Sequence, residues 1–166
     1  MGIITKRLQR KRIILFIIVF IWMTLVFYLS SQNGDESTGT SSHIVNMILK
    51  IYESITNNKI SNEYVDDITY FVRKFAHFTL YFIGAIPIFL FILTYNNKKN
   101  KTYIYTIITC AMYGCTDELH QFFISNRNAD LLDILIDTCG SIVGVLITNM
   151  TINILTNIKH KIKYKM

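Results

Sequence analysis

Apolar residues gather into four long runs separated by short polar or charged stretches. The first, Ile13 to Leu29, is interrupted only by Thr24 and Tyr28 and follows Lys6, Arg7, Arg10, Lys11 and Arg12. A helix crossing a bilayer needs roughly 20 predominantly apolar residues. Runs at about 13–29, 75–95, 103–119 and 132–155 therefore predict four transmembrane helices. Pro87 lies in the middle of the second, where its missing N–H removes a backbone bond and predicts a kink. The first run resembles a signal peptide, but Ser30, Ser31, Gln32 and Asn33 offer no small-x-small cleavage site, so a retained anchor is expected.

The stretch between the first two runs, about 30–74, has its own pattern. Ile44, Ile48, Ile51, Tyr52 and Ile55 recur at helical spacing with Ser42, Asn46, Lys50 and Glu53 between them, which predicts an amphipathic helix on a membrane surface. A shorter stripe of Val65, Ile68, Phe71 and Val72 leads into the second run. With one proline and seven glycines in 166 residues, nothing divides the chain, and residues 1–166 read as a single domain.

Composition supports a membrane rather than an aqueous setting: 51% of residues are hydrophobic, only 17% are charged, and the mean hydropathy is +0.34. The formal charge of +6 first suggests nucleic acid or acidic lipid, and the positions of the charges decide. Twelve of the seventeen Lys and Arg lie before the first run, in Lys98, Lys99 and Lys101, and in the tail at Lys159, Lys161, Lys163 and Lys165. All eleven acids lie in the intervening stretches or the helix ends beside them. By the positive-inside rule both termini are cytoplasmic, leaving no surplus for nucleic-acid binding. The basic tail would meet the anionic inner leaflet. Cys110, Cys115 and Cys139 form neither a CxxC nor a Cys/His ligand pattern.

Ionisable groups at membrane depth are costly and are usually paired, turned inward or functional. Here they converge on the outer ends of the predicted spans. Arg73, His77 and Tyr81 follow one another at i, i+4 and i+8, with Lys74 three before His77. The third span ends in Asp117, Glu118, Leu119, His120 and Gln121, with Asp117 expected to face the same way as His120 and Gln121. The fourth opens on a ladder of Asp130, Asp133 and Asp137, continued on the same face by Gly140 and Gly144, a small-xxx-small signal for close helix packing. Arg127 lies in the joining loop.

Three readings of this cluster remain open. It is a structural ion-pair network in which Arg73, Lys74 and Arg127 neutralise the aspartate ladder. Or it is a site where Asp117, Glu118, His120, Asp133 and His77 act as acids, bases or ligands of a divalent metal. In that case Arg73, Lys74, Gln121, Arg127, Ser31 and Gln32 hold an anionic ligand. Or it serves binding or proton-coupled translocation through an acid/His relay. Neither HExxH nor a serine nucleophile motif is present, so spacing names no reaction. Ser30, Ser31 and Gln32 would cap the outer end of the first span in preference to donating to a ligand.

The ordered set Ser30-Ser31-Gln32, Arg73-Lys74-Phe75-Ala76-His77, Asp117-Glu118-x-His120-Gln121, Arg127, Asp130, Asp133, Gly140 and Gly144 resembles the VanZ-like family of bacterial membrane proteins. The resemblance spans about Leu29 to Gly144. It implies a small multi-pass plasma-membrane protein of the cell envelope, similar to the one named for low-level teicoplanin resistance. It also implies that Ser31, Gln32, Arg73, Lys74, His77, Asp117, Glu118, His120, Gln121, Arg127, Asp133 and Gly140 are shared positions, without assigning a reaction. Teicoplanin acts outside the cell at the membrane face, so an outer polar site that binds or modifies an envelope lipid or wall precursor is the expected arrangement. A non-catalytic scaffold is the competing one. The family often has proline and glycine before the arginine of the third loop; Ser125 and Asn126 stand there in this chain.

Overall fold

The computed structural model describes residues 2–163 apart from Lys59, Asn97 and Asn128, so the end of the basic tail, including Lys165, lies outside the described residues. Five helices make up the secondary structure of the described residues: α1 (Gly2–Ser30), α2 (Gly34–Thr56), α3 (Asn62–Leu93), α4 (Lys99–Phe122) and α5 (Leu131–Lys163). The helices outrun the apolar runs because polar flanks continue the same turns. α1 starts ahead of the basic segment and carries it, and the Val65–Val72 stripe belongs to α3, which continues through Pro87.

Among the described residues, three helices are long and apolar enough to cross a membrane: Thr5–Ser30, Tyr64–Leu93 and Leu131–Ile162. α4, which covers the expected third span, is long enough but less apolar. Its buried side carries Thr102, Thr106, Asp117, Glu118 and Gln121, all turned towards the bundle. The outward surfaces are oily, with Ile13, Phe20, Ile21, Ile104, Met112, Leu135 and Ile154 all exposed. Such a surface suits lipid rather than water, and the protein is a membrane protein.

α3 is the central element, touching all four other helices and meeting α5 most extensively. Gly140 and Gly144 make that contact close: a Cβ on either would collide with the carbonyl oxygen of Phe78 or Phe82, respectively. The expected small-xxx-small seam is therefore real, and it brings the backbones of α3 and α5 together. Below the polar end, Trp22, Val26, Tyr81, Ala85, Phe89, Cys110 and Val145 form the core. The Trp22 indole donates to the Leu80 carbonyl at 2.9 Å and stands edge-on to Tyr81 at 5.5 Å.

The two ends of the bundle differ in chemistry. At one, Arg12 donates to the Thr94 carbonyl at 2.7 Å and lies 3.8 Å over the Tyr95 ring, while Lys99 donates to Asn153 at 2.6 Å. At the other, the end of α1 and the polar turns of α3, α4 and α5 meet. α2 lies against α3 with Ser37, Ser41 and Val45 buried, while Ile44, Ile48, Ile51, Tyr52 and Ile55 remain exposed. Its apolar stripe from Ile48 to Ile55 thus faces away from the bundle, while Ile44 borders the cavity at the polar end.

Candidate functional site

The polar end holds a cavity of about 180 Å³ between α1, α2, α3, α4 and the loop after α4. Helical repetition explains its lining. On α3, Arg73, His77 and Tyr81 share one face at four-residue spacing. On α4, Asp117 and Gln121 do the same, and the Gln121 amide donates to Asp117 Oδ2 at 3.2 Å. Ser30 and Gln32 close it from the end of α1, and Ser37 and Ser41 from α2.

Arg127 reaches in from the loop. Its guanidinium donates to the Ser30 carbonyl at 3.3 Å and to Ser37 Oγ at 2.5 Å, while its Nε is buried without an acceptor. Burial lowers its pKa from the ordinary arginine range, and the nearby positive charge of Arg73 pushes the same way. The turn that presents it contains Asn126 at φ 59°, a left-handed conformation that asparagine tolerates. Asn126 thereby adopts a conformation that glycine most often supplies. Arg73 lines the same cavity with no ion pair or hydrogen bond to another described residue.

A second layer lies behind the cavity, against α5. Lys74 Nζ sits 2.7 Å from both Asp130 Oδ2 and Asp133 Oδ1. Asp130 Oδ1 accepts the Leu132 N–H at 2.9 Å at the start of α5, and Glu118 Oε2 accepts the Asp130 N–H at 2.8 Å. The Lys74 hydrogen bond holds the Asp130 carboxyl below its usual range. Deeper, His77 Nδ1 lies 3.3 Å from Asp137 Oδ1.

The residues picked out in the sequence thus separate into three groups. Arg73, His77, Asp117, Gln121, Arg127 and Gln32 line the cavity. Lys74, Glu118 and Asp133 belong to the layer behind it. His120 and Ser31 do not join either: the His120 ring stacks on Phe27 at 4.5 Å, and its Nε2 is 3.2 Å from Ser31 Oγ on the α1 flank. Lys74 pairs with Asp130 and Asp133 and His77 faces Asp137, while neither arginine forms a salt bridge among the described residues. Asp137, read in the sequence only as the foot of that ladder, is fully buried, and apart from the His77 nitrogen 3.3 Å from Oδ1 neither of its oxygens has a hydrogen-bonding partner among the described residues. Its position three residues before Gly140, on the face that meets α3, was the available signal. Two overlapping triads have the spacing to hold a metal, His77 with Asp117 and Asp137, and His77 with Glu118 and Asp133.

A family model described as VanZ/LLP1 matches residues 15–153, which include every residue of the cavity and of the layer behind it. Neither the curated proteins nor the solved structures provide a match.

Proposed function

The chain belongs to the VanZ/LLP1 family, and from that membership we propose that it binds an anionic group of an envelope lipid or cell-wall precursor at the outer face of the bacterial plasma membrane. By doing so it lowers susceptibility to teicoplanin and related lipoglycopeptides. The observation that carries this reading is the pairing of Arg73 and Arg127 on one cavity with no salt bridge from either to a carboxylate among the described residues. Two guanidiniums held together repel one another, and Arg73 retains its fork of donors for a phosphate or carboxylate. Ser30, Ser37, Gln32 and Gln121 add neutral hydrogen-bonding groups at the same wall.

Topology follows from the charge pattern. In this reading α1, α3, α4 and α5 all cross the membrane, with the basic Arg12/Lys99 end inside and the cavity outside. α4 is the fourth crossing, because Ile104, Ile108, Met112 and Leu119 present an apolar outer face while its polar groups are sheltered by α5 and α3. The exposed stripe of α2 rests on the outer leaflet beside the cavity mouth.

A scaffold reading draws support from the Lys74–Asp130–Asp133 network, which fits a purely structural role. Teicoplanin susceptibility separates the two. Cells expressing the parent are expected to be protected, and cells with equal membrane levels of Arg73→Ala are expected to lose that protection. Retained protection in Arg73→Ala would favour the scaffold, and no protection from the parent would detach this chain from glycopeptides.

A further inference from the structure

We propose that His77, Asp117 and Asp137 form a binding site for a first-row divalent cation, Mn²⁺ or Zn²⁺, on the deep wall of the cavity. The inference concerns different residues from the arginine pair and stands whether or not those hold a headgroup.

Three helices supply the ligands, α3, α4 and α5, and one ligand atom from each lies within 4.8 Å of the others. A cation held at about 2.0–2.2 Å from nitrogen and carboxylate oxygen at tetrahedral angles separates its ligand atoms by about 3.3–3.6 Å, so the three side chains draw in by up to about 1.5 Å when it binds. The unusual member is Asp137. It is 0% exposed; its Oδ2 lacks a hydrogen-bond donor and its Oδ1 has only the His77 imidazole nitrogen 3.3 Å away, short of hydrogen-bond geometry, a costly arrangement for a buried acid unless something else satisfies it. No arginine or lysine side chain forms a salt bridge with Asp117 or Asp137 among the described residues, Arg73 on the same cavity included. Lys74 is committed to Asp130 and Asp133, and Arg127 to Ser30 and Ser37. That leaves one imidazole facing two buried aspartates, and a divalent ion balances them.

Glycine keeps the place open. A Cβ at Gly114 would stand 3.3 Å from Asp137 Oδ2 and 3.6 Å from the Tyr81 hydroxyl, closing the space beside the carboxylate. The alternative triad of His77, Glu118 and Asp133 is less suited, since Glu118 Oε2 already accepts the Asp130 N–H and Asp133 Oδ1 already pairs with Lys74. One imidazole with two carboxylates is a mixed N/O donor set that suits Mn²⁺ or Zn²⁺. His77 and Asp117 also line the cavity, so the ion keeps an open coordination position towards it.

The full chain, purified in detergent, stripped with chelator and dialysed against Mn²⁺ or Zn²⁺, is then assayed for bound metal by elemental analysis. The expected result is stoichiometric metal in the parent, in His160→Ala and in Asp133→Asn, with loss in Asp137→Asn and Asp117→Asn. Loaded parent should also unfold at a higher temperature than stripped parent, a shift missing from both cavity variants. Absence of bound metal from the parent overturns the proposal, whatever the variants do. So does metal kept by Asp137→Asn but lost by Asp133→Asn, which would assign the ion to the other triad.

Discussion

The carbonyl oxygen of Phe78 occupies the place where a Cβ on Gly140 would have to go. Because the obstacle is backbone rather than the tip of a side chain, the helices themselves must separate to admit a larger residue. Gly140→Val should therefore lower stability by about 1–3 kcal/mol, as overpacking in a tight interface does, and Gly144→Val should behave alike against Phe82. Gly39→Ala is the internal control: nothing lies within 4 Å of its would-be Cβ, and alanine in an exposed helix is expected to stabilise by about 0.5–1 kcal/mol. Thermal unfolding in detergent measures all three, and an unchanged midpoint for Gly140→Val would contradict the close seam.

Lys74 lies between two acids, of which Asp130 is 42% exposed in its side chain and Asp133 only 11%. Removing one partner of a buried ion pair costs about 3–5 kcal/mol because the other charge is stranded. Lys74→Met should fall towards the lower end, since Asp130 can turn to water. Combining Lys74→Met with Asp133→Asn should recover much of the loss. A double variant as unstable as the sum of the singles would mean that Lys74 and Asp133 are not coupled.

Much of this arrangement was legible in the sequence, for identifiable reasons. The glycine seam followed from spacing alone, and so did the shared face of Arg73, His77 and Tyr81, because helical repetition needs no tertiary information. What spacing could not give was which flank of α4 meets which neighbour. His120 and Glu118 lie on opposite flanks of Asp117, and the expectation that His120 joins the cavity depended on a choice only packing makes. α5 covers the Glu118 flank, and α1, through Phe27 and Ser31, takes the His120 flank. Similarly, the apolar stripe of α2 was visible, but its buried face is the serine pair Ser37 and Ser41, chosen by Arg127 reaching across from a loop.

That division of α4 makes a prediction of its own. His120→Ala removes a stacked ring and the contact with Ser31 on the α1 flank, leaving the cavity lining in place. It is expected to lower stability by about 1 kcal/mol, the scale of one aromatic pair, without changing metal content or any protection from teicoplanin. Loss of protection at unchanged membrane levels would place His120 in the functional machinery after all.

The Asp130 carboxyl is held below the ordinary carboxylate range by the Lys74 hydrogen bond. Its folded pKa therefore lies below its unfolded one. The stabilisation is fully present above the unfolded value and disappears as pH falls through the folded value. Asp130→Asn keeps a side-chain oxygen for the Leu132 N–H but removes the charge and the Oδ2 acceptor that Lys74 uses. The parent should be more stable than Asp130→Asn at neutral pH, and the gap should close on acidification below the normal aspartate range. A gap independent of pH would show that the charge is not its source.

Arg73 and Arg127 line one cavity but differ in what else they do, so their removal should have different signatures. Arg127 ties the loop to α1 and α2 through Ser30 and Ser37. Arg127→Ala leaves a buried carbonyl and hydroxyl without their donor, at about 1–3 kcal/mol for groups that stay unsatisfied, and should loosen α2. Protease cleavage between α2 and α3 would report that loosening as faster nicking. Arg73 makes no such bond, so Arg73→Ala should leave unfolding and nicking unchanged while removing protection. Lysine should rescue Arg73 in part, because a point charge still attracts an anion, and rescue Arg127 poorly, because an ammonium on a flexible stem does not reproduce a planar fork reaching two acceptors. If both alanine variants behave alike in stability, the separation between a structural and a ligand-facing arginine fails.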